Sequence, residues 1–460
     1  MASTHIYRAC DATASSGYSN KWTWSGWVKR SKLGTTQGIF MNKKDDSNSN
    51  SRFKLQFQPT DKLAWECKDS SASDDSSFET NMLFRDTNAW YHIVLIYDSD
   101  NSTATERIKC YVNGKDVRTE LGGFASDNQA SSGFGTLWSS ASRHFIGVSC
   151  NNSGTDYWYD GLMSHCHLTY GHRYEASTFG STDTTTGEWE IATSPSVTYG
   201  SQGYFMLKDD NSLNDDSGEG NNFTLGNNAL TKTKDCPSNV FATFNGAFNL
   251  SDIVLSEGNT KTFNSNSNWK YVPTTLGVSS GKYYCEYKIT INGGYIMLGV
   301  CDMQYATSQD QNSYTHVGAG TGGVGLYDDN GEKYLQGSNT AHGAVYGTND
   351  IVSIALDMDN NKVYFAKNGD WATGSGAWGS STFNSSTGAI TLPTTGGTYA
   401  FASSIRSSAS LQANFGNGYF GTTAVATNSG NGYAGAEGAS IFNYQPPTGY
   451  SALSTKGLNQ

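Results

Sequence analysis

Charged residues, basic runs and long apolar runs are all scarce in this sequence. Lys, Arg, Asp and Glu make up 15% of its 460 residues, against about 25% in an average soluble domain. The net charge is −11 and no basic run occurs, which argues against a nucleic-acid partner, because phosphate backbones are bound by clustered Lys and Arg. No apolar run approaches the roughly 18 residues of a membrane-spanning helix, so no membrane insertion is expected.

The cysteines are scattered singly, and no Cys-x-x-Cys pair occurs among the 8 of them. This scatter argues against a zinc site and against a disulfide framework. It predicts small buried thiols in a protein that folds in a reducing compartment. The first seven residues lack the basic and apolar blocks of a signal peptide, so we expect no leader.

Aromatic residues are plentiful, at 13% of the chain, which supplies material for a core and excludes disorder. Helical periodicity is nearly absent, whereas strand-like alternation recurs between turns rich in Ser, Thr, Asn and Gly. The sequence therefore predicts an all-β fold.

One order of strands and turns occurs twice. Residues 90–97 are apolar at nearly every position, as in a strand buried on both faces. The next strand, 107–112, stops at Asn113-Gly114, a pair that tolerates positive φ. The same order returns in residues 351–369. Two tandem β-sandwiches of the jelly-roll type are therefore predicted, followed by a short C-terminal extension.

Composition divides the chain into four segments. The predicted boundaries are residues 1–207 for the first sandwich, 208–235 for an acidic Asx-rich connection, 236–421 for the second sandwich and 422–460 for a Gly- and Ala-rich extension. The extension contains an aromatic, Pro-containing stretch at 441–450 that is suited to strapping onto a neighbouring surface.

The first half carries Trp90-Tyr91-His92-Ile93-Val94 and an Asp-Gly pair at 160–161. Together with the Trp-rich run 22–29 and residues 111–114, these motifs resemble the laminin-G/concanavalin-like lectin family. The resemblance implies a concanavalin-like sandwich in which residues 90–94 form an inner strand and the Asp-Gly segment leads the closing strand.

In the second half, the runs 281–287, 323–327, 350–357 and 363–369 precede Asn414-Phe415-Gly416. These motifs resemble the SPRY family, whose members generally bind proteins. The pairing of the two families, with the tail 446–456, is similar to virion proteins of tailed bacteriophages, particularly marine ones.

Catalysis is not expected. Glycosidases with concanavalin-like folds resemble one another in a strand with Glu-x-Asp-x-x-Glu, two of whose carboxylates serve as nucleophile and acid. The nearest spacing here, Glu188-Trp189-Glu190, lies in a Thr- and Gly-rich stretch and is predicted to be a solvated pair. No Gly-x-Ser-x-Gly, P-loop or His-Glu-x-x-His motif occurs. We therefore predict a protein that is not an enzyme and requires no cofactor.

Two stretches are candidate metal sites. His165 and His167 fall on one face of a predicted strand, a spacing that suits one metal ion or two solvent- or sheet-facing rings. A loop offers five oxygen-bearing side chains for calcium, which binds roughly six to eight oxygens: Asp209, Asp210, Asn211, Asp215 and Asp216. Composition favours the alternative for this loop, a set of Asx turns without an ion.

Exposed aromatic side chains are the candidate ligand-binding groups, because sugar rings lie on Trp and Tyr faces. Tyr157, Trp158 and Tyr159 follow a polar loop, although Tyr157 and Tyr159 equally suit alternate strand positions in a core. Trp371 and Trp378 flank a loop of small residues and are harder to explain by a core.

These observations predict a non-catalytic, structural and adhesive virion protein of a bacteriophage, either a tail fibre or a capsid fibre or decoration. Its expected partners are host-surface glycans or proteins, other virion subunits and further copies of itself. Its expected location is the virion surface. The alternatives are a bacterial cell-surface or released carbohydrate-binding adhesin and a polysaccharide-degrading enzyme.

Overall fold

The computed structural model describes residues 4–10, 18–44, 51–68, 74–138, 142–151, 156–208, 212–248, 252–306, 316–425 and 432–459. The chain divides into two compact units, Met1–Lys232 and Thr233–Gln460. Both are nearly all-β, which confirms the predicted fold class. In the ranges given above, no helix is long and apolar enough to cross a membrane.

The strands of the first unit are β1 Ile6–Ala9, β2 Tyr18–Ser19, β3 Lys21–Arg30, β4 Gln37–Lys44, β5 Arg52–Phe57, β6 Lys62–Lys68, β7 Asp74–Leu83, β8 Tyr91–Asp98, β9 Ile108–Val112, β10 Lys115–Asp116, β11 Phe124–Asn128, β12 Thr136–Leu137, β13 Ser142–Ile146, β14 Val148–Cys150, β15 Asp156–Trp158, β16 Gly161–Tyr170, β17 Gly180–Thr182, β18 Trp189–Ile191, β19 Tyr204–Met206 and β20 Thr224–Leu225. Its helical turns are α1 Val117–Glu120 and the 3₁₀ turns Ala104–Glu106 and Ala176–Thr178.

Two antiparallel sheets form the sandwich of the first unit. In the described part of this unit, one sheet has the order β11-β7-β6-β5-β4-β13-β1-β20 and the other has the order β10-β9-β8-β3-β16-β19. Alternation along β3 turns Trp22 and Trp24 towards the opposite sheet, where both rings contact Phe40 of β4. The Trp22 ring also stacks on Tyr97 of β8, with the centroids 5.5 Å apart. Aromatic rings therefore dominate the core between the sheets.

Strand β8 is buried along its whole length. Its residues Val94 and Ile96 point away from the core and pack against Ala176 and Phe179, which belong to the chain segment that follows β16. This segment, residues 172–199, covers the outer face of the sheet and forms a third layer. The predicted strand with two buried faces is thereby confirmed.

The strands of the second unit are β21 Ile253–Ser256, β22 Lys261–Asn264, β23 Lys270–Pro273, β24 Lys282–Ile291, β25 Ile296–Asp302, β26 Gly323–Tyr327, β27 Glu332–Leu335, β28 Ser338–Ala341, β29 Ile351–Asp357, β30 Lys362–Lys367, β31 Asp370–Trp371, β32 Ile390–Thr391, β33 Tyr399–Ile405, β34 Ala409–Asn414, β35 Tyr419–Phe420, β36 Thr423–Ala424 and β37 Ser451–Ala452. Its helices are α2 Met303–Ala306 and α3 Thr455–Leu458.

The second unit is also a two-sheet sandwich. Across its described residues, one sheet runs β21-β22-β34-β24-β29-β30-β31, with β32 beside β30 and β37 beside β24. The other sheet runs β23-β33-β25-β26-β27-β28. Tyr287, Leu298, Ile354 and Phe401 are fully buried in the core between them. As predicted, the strands β9 and β30 stop at left-handed turns, and Asn368 has φ 51° at the second of these.

The structure corrects two of the predicted boundaries. Strand β20 pairs with β1, so most of the predicted connection 208–235 belongs to the first unit. Strand β37 pairs in parallel with β24, so the described part of the predicted extension 422–460 belongs to the second sandwich. Composition predicted that both stretches lie outside the sandwiches because they are rich in turn residues. Backbone pairing and a few buried rings instead make each of them part of a sandwich.

Residues 441–454, which we call the C-terminal strap, cover the outer face of the sheet around β24. Phe442, Tyr450 and Ala452 of the strap are buried there. The Phe442 ring meets Tyr284 of β24 edge-on, with the centroids 4.9 Å apart. The strap therefore covers the outer face of a sheet in the second unit, as residues 172–199 do in the first.

A buried carboxylate fixes the strap in place. One oxygen of Glu286 on β24 accepts hydrogen bonds from the backbone N–H of Asn443 at 2.8 Å and from the Asn414 side-chain amide at 3.1 Å. Its other oxygen accepts from the backbone N–H of Tyr444 at 2.7 Å. Burial outweighs these bonds and raises the pKa of Glu286 to about 7.

We predict that Glu286→Ala lowers the free energy of unfolding of the second unit by about 3 kcal/mol, because buried backbone and amide donors lose their acceptor. Urea unfolding followed by fluorescence measures this loss. Glu219→Ala, which removes an exposed carboxylate, is the matched control and should change the unfolding free energy by less than about 0.5 kcal/mol. Equal effects of the two substitutions would contradict the assigned role of Glu286.

The raised pKa of Glu286 also predicts a pH dependence. The carboxyl of Glu286 keeps its proton up to about pH 7 in the folded protein, whereas in the unfolded chain its pKa has the ordinary value of 4.5. The stabilising contribution is therefore complete below the unfolded pKa and is lost as the pH rises through 7. Glu286→Gln does not titrate, so the wild type should lose stability relative to this variant between pH 5 and pH 8. A constant difference in urea midpoints across this range would refute the prediction.

Candidate ligand-binding surfaces

The predicted aromatic trio of the first unit divides between surface and core. Tyr157 and Trp158 lie on β15 and are half-buried, and the Tyr157 hydroxyl accepts a hydrogen bond from Nδ2 of Asn151 at 3.1 Å. Tyr159 is 9% exposed and belongs to the core of the sandwich. Burial raises the pKa of Tyr159 well above its usual range. Tyr159 is thus a core residue, as the alternative interpretation of the sequence predicted. Of the three, only Tyr157 and Trp158 offer ring surface to a ligand.

The two tryptophans predicted to stand exposed on a loop are packed instead. Trp371 is 9% exposed and its ring meets Phe383 edge-on at 4.8 Å. Trp378 is half-buried and lies beneath the Lys367 ammonium, which is 5.9 Å from the ring centroid. A backbone bridge between Ala372 and Trp378 folds the loop into a tight hairpin. The predicted exposure of Trp371 is therefore wrong, because the hairpin turns its ring inwards.

The predicted calcium loop is only partly described. Asp209, Asp210 and Asn211 lie outside the described residues. Asp215 is half-buried, and its oxygens accept hydrogen bonds from the backbone N–H groups of Phe205, Ser217 and Asn221 at 2.8 to 3.0 Å. These bonds make it the organiser of an Asx-type turn, while Asp216 is exposed. Calcium binding stays a prediction.

The histidine pair of β16 has hydrogen-bond partners within the protein. A β-bulge falls between Ser164 and His167, so the strand does not alternate regularly there. Nδ1 of His167 lies 2.9 Å from the Tyr199 hydroxyl, and its ring stacks on Phe205 at 3.9 Å. Burial lowers the pKa of His167 well below its usual range. Within the ranges that the structure describes, no group of three or more His, Cys, Asp or Glu side chains is arranged to hold a metal ion.

A buried serine–histidine pair, which the sequence analysis missed, lies on the outer face of the first unit. Oγ of Ser25 is 2.8 Å from Nε2 of His92, and the Trp189 indole N–H donates to Nδ1 of His92 at 2.9 Å. Because the indole can only donate, neutral His92 carries its proton on Nε2 and donates it to Ser25. In this tautomer His92 cannot take a proton from the serine. The neighbouring Glu188 and Glu190 are exposed, as predicted.

Five rings crowd one surface of the second unit, which we call the aromatic face: Trp269, Tyr295, His316, Tyr327 and Tyr334. They lie on the outer side of the sheet that contains β25 and β26, apart from the core of the sandwich. The His316 ring is 5.1 Å from Tyr334 and 5.3 Å from Trp269. Trp269 is 8% exposed, whereas the other four rings are half-buried. The aromatic face therefore offers ring surface to solvent on a rigid base.

A cleft adjoins the aromatic face at His316. Tyr271, Asp302, Tyr305 and Thr321 are among the residues that line it. Asp302 is 1% exposed, and one of its oxygens has no hydrogen-bond partner among the described residues. Burial lowers the pKa of His316, so its imidazole is neutral at pH 7. The cleft therefore places polar groups beside the rings of the aromatic face.

Sequence reasoning missed this surface because its rings are dispersed between residues 269 and 334, on separate strands and loops. The available signal was Tyr327 and Tyr334 on the two arms of a hairpin, since β26 pairs with β27. Their convergence with Trp269 and His316 depends on tertiary packing, which a single sequence does not display.

Comparison with known proteins assigns both halves of the chain. Residues 5–170 match the family model of the concanavalin A-like lectin/glucanases superfamily called Laminin_G_3, and residues 282–417 match that of the SPRY domain. No curated protein matches the chain.

Several solved structures are similar to part of the chain. The SPRY domain of human HERC1 is 16% identical with a TM-score of 0.28, and the match covers 37% of this chain and 96% of that one. A second human SPRY domain is 15% identical with a TM-score of 0.27, over 35% and 94% of the two chains. Stonustoxin is 17% identical with a TM-score of 0.29, over 38% of this chain and 27% of its own.

The family matches confirm both resemblances that the sequence motifs carried. The chain therefore combines a domain of the concanavalin A-like lectin/glucanases superfamily with a SPRY domain, and this pairing indicates a binding or adhesive protein.

Proposed function

We propose that the protein is a non-catalytic adhesive component of a bacteriophage virion that binds glycans or proteins of the host surface through the aromatic face. The observation that carries this proposal is the set of half-buried rings around Trp269, next to a cleft lined by aromatic and polar residues. Tyr and Trp combine a large apolar surface with a polar tip, and they lose little conformational entropy when a ligand binds.

The packing of the rings supports a binding role over a purely structural one. The Tyr334 ring lies perpendicular to both His316 and Tyr327, at 5.1 and 6.0 Å. These contacts hold Tyr334 in place although its strand, β27, is half-exposed along its length. A surface that is already ordered in the free protein binds at a lower entropic cost.

The virion context is supported by the domain pairing and by the cysteines. All eight cysteines, which fall within the described residues, are free thiols, and seven of them are buried. Free thiols suit a protein that folds and assembles in a reducing cytoplasm. Several copies on one particle, together with other virion subunits, would raise a weak single-site affinity through effective concentration.

We predict that Tyr334→Ala weakens binding of the full-length protein to host cells and host-surface glycans by about tenfold, since it removes one half-buried ring from the aromatic face. Cell pull-down and glycan-array titration measure this change. Tyr419→Ala removes a half-buried tyrosine elsewhere in the second unit and should leave the affinity unchanged. Unaltered binding by the Tyr334 variant, or release of reducing sugar ends from the same glycans, would contradict the proposal.

The virion assignment has its own test. Peptide mass spectrometry of purified phage particles should detect the chain, and antibodies against it should label fibres or the capsid surface. Finding the protein only on bacterial cells or free in the medium would replace the virion assignment with the adhesin alternative.

A further inference from the structure

Arg406 lies at the border of the aromatic face and is held there by stacking. Its guanidinium carbon is 3.7 Å from the centroid of the Tyr295 ring and 5.0 Å from that of Trp269. Such contacts fix the plane of the guanidinium group. The residue is half-buried, and its Nε has no hydrogen-bond partner in the described part of the protein.

The backbone next to Arg406 is strained in a way that fixes its position. Ser407 and Ser408 both have positive φ, 55° and 67°, in the turn between β33 and β34. Two successive left-handed residues usually include Asn or Gly, so this conformation needs support. The N–H groups of Ser407 and Ser408 donate to the carbonyls of Asn266 and Asn264 at 2.7 and 2.8 Å. Strain that the surroundings hold in place is typical of functional positions.

Arg406 has no acidic partner among the described residues, unlike the arginines for which an ion pair is found. Across the described residues, no carboxylate lies within ion-pair distance of its guanidinium group, although the chain has 41 acidic and 30 basic residues. Five other arginines form ion pairs: Arg30 and Arg85 with Asp61, Arg52 with Glu66, Arg118 with Asp127 and Arg173 with Glu106. A stacked, partly desolvated and unpaired cation is suited to an anionic ligand.

We propose that Arg406 binds the carboxylate of an acidic sugar, such as a uronic acid unit of a polysaccharide, whose ring lies on the aromatic face. The guanidinium group matches a carboxylate with two parallel hydrogen bonds. This inference rests on the proposed function, because it uses the same face and adds the chemical class of the ligand.

His316 supplies a group for the hydroxyls of such a sugar. Its Nδ1 lies 3.1 Å from the carbonyl oxygen of Val317 and donates to it. In the neutral ring Nε2 is then an acceptor. Rings for the C–H face, a cation for the carboxylate and an acceptor for a hydroxyl together favour an acidic sugar over an acidic peptide. The net charge of −11 disfavours non-specific attraction of polyanions.

The test uses the full-length protein and two polyuronates, polygalacturonate and alginate, each compared with its carboxyl-reduced, neutral derivative. We expect binding to at least one polyuronate and a loss of roughly 10- to 100-fold on carboxyl reduction, the range for a hydrogen bond to a charged group. Arg406→Gln should cause a similar loss. Arg406→Lys keeps the charge without the planar fork and should bind the polyuronate less tightly than the wild type.

Arg118→Gln is the matched control. Arg118 also stacks on an aromatic ring, that of Phe124, but in the first unit. The substitution therefore removes the same charge and the same type of contact, and it should leave polyuronate binding unchanged. Near-UV circular dichroism shows whether each variant keeps the wild-type fold. If Arg406→Gln does not fold, Arg406→Lys provides the test instead.

The other outcomes overturn the inference in distinguishable ways. Equal binding of the acidic and neutral polymers, with affinity reduced only in Tyr334→Ala, would show that the carboxylate is not recognised. The aromatic face would remain the ligand site. Binding of polyglutamate but of neither polyuronate would assign Arg406 to an acidic protein partner. If the wild type binds neither polyuronate yet still binds host cells, the acidic-sugar inference fails and the proposed function stands.

Discussion

The structure depends on one constraint, which is that its central strands are buried on both faces. Strand β8 is buried at every residue, and β29 at all but its first. A two-layer sandwich buries only the inner face of each sheet, and exposed apolar residues on an outer face, such as Val94 and Ile96, would favour aggregation or association. Both units must therefore supply a third layer from their own chain.

In each unit, the contact between the third layer and the sheet is largely apolar but includes one buried polar group. In the first unit the Trp189 indole bonds to His92, and in the second unit the strap bonds to Glu286. Apolar contacts between a segment and a sheet tolerate sliding, whereas a buried hydrogen-bond acceptor has low energy only with its donors in place. These polar contacts therefore define where each covering segment lies, and burial shifts the pKa of both groups as a consequence.

Local patterns in the sequence predicted what is local in the fold. The apolar run 90–97 and the Asn-Gly stops fixed strands and turns, since strand burial and positive φ are encoded within a few residues. Trp371, in contrast, looked like a loop residue because its partner Phe383 lies beyond a stretch of Gly and Ser. The aromatic face and Arg406 were equally invisible, because Tyr295, Trp269 and Arg406 meet only after β23, β25 and β33 pair.

The same constraint explains why the aromatic face is the distinctive surface of the second unit. The outer side of the sheet formed by β25 and β33 also carries buried residues, including Met297 and Val317, but the rings at its margin stay half-exposed. The outer layer thus ends in ordered aromatic rings, with an unpaired arginine at its border. These rings are left partly exposed to solvent. A ligand with an apolar face and an acidic group would bury these rings further and neutralise the arginine, and such binding needs no rearrangement of the sandwich.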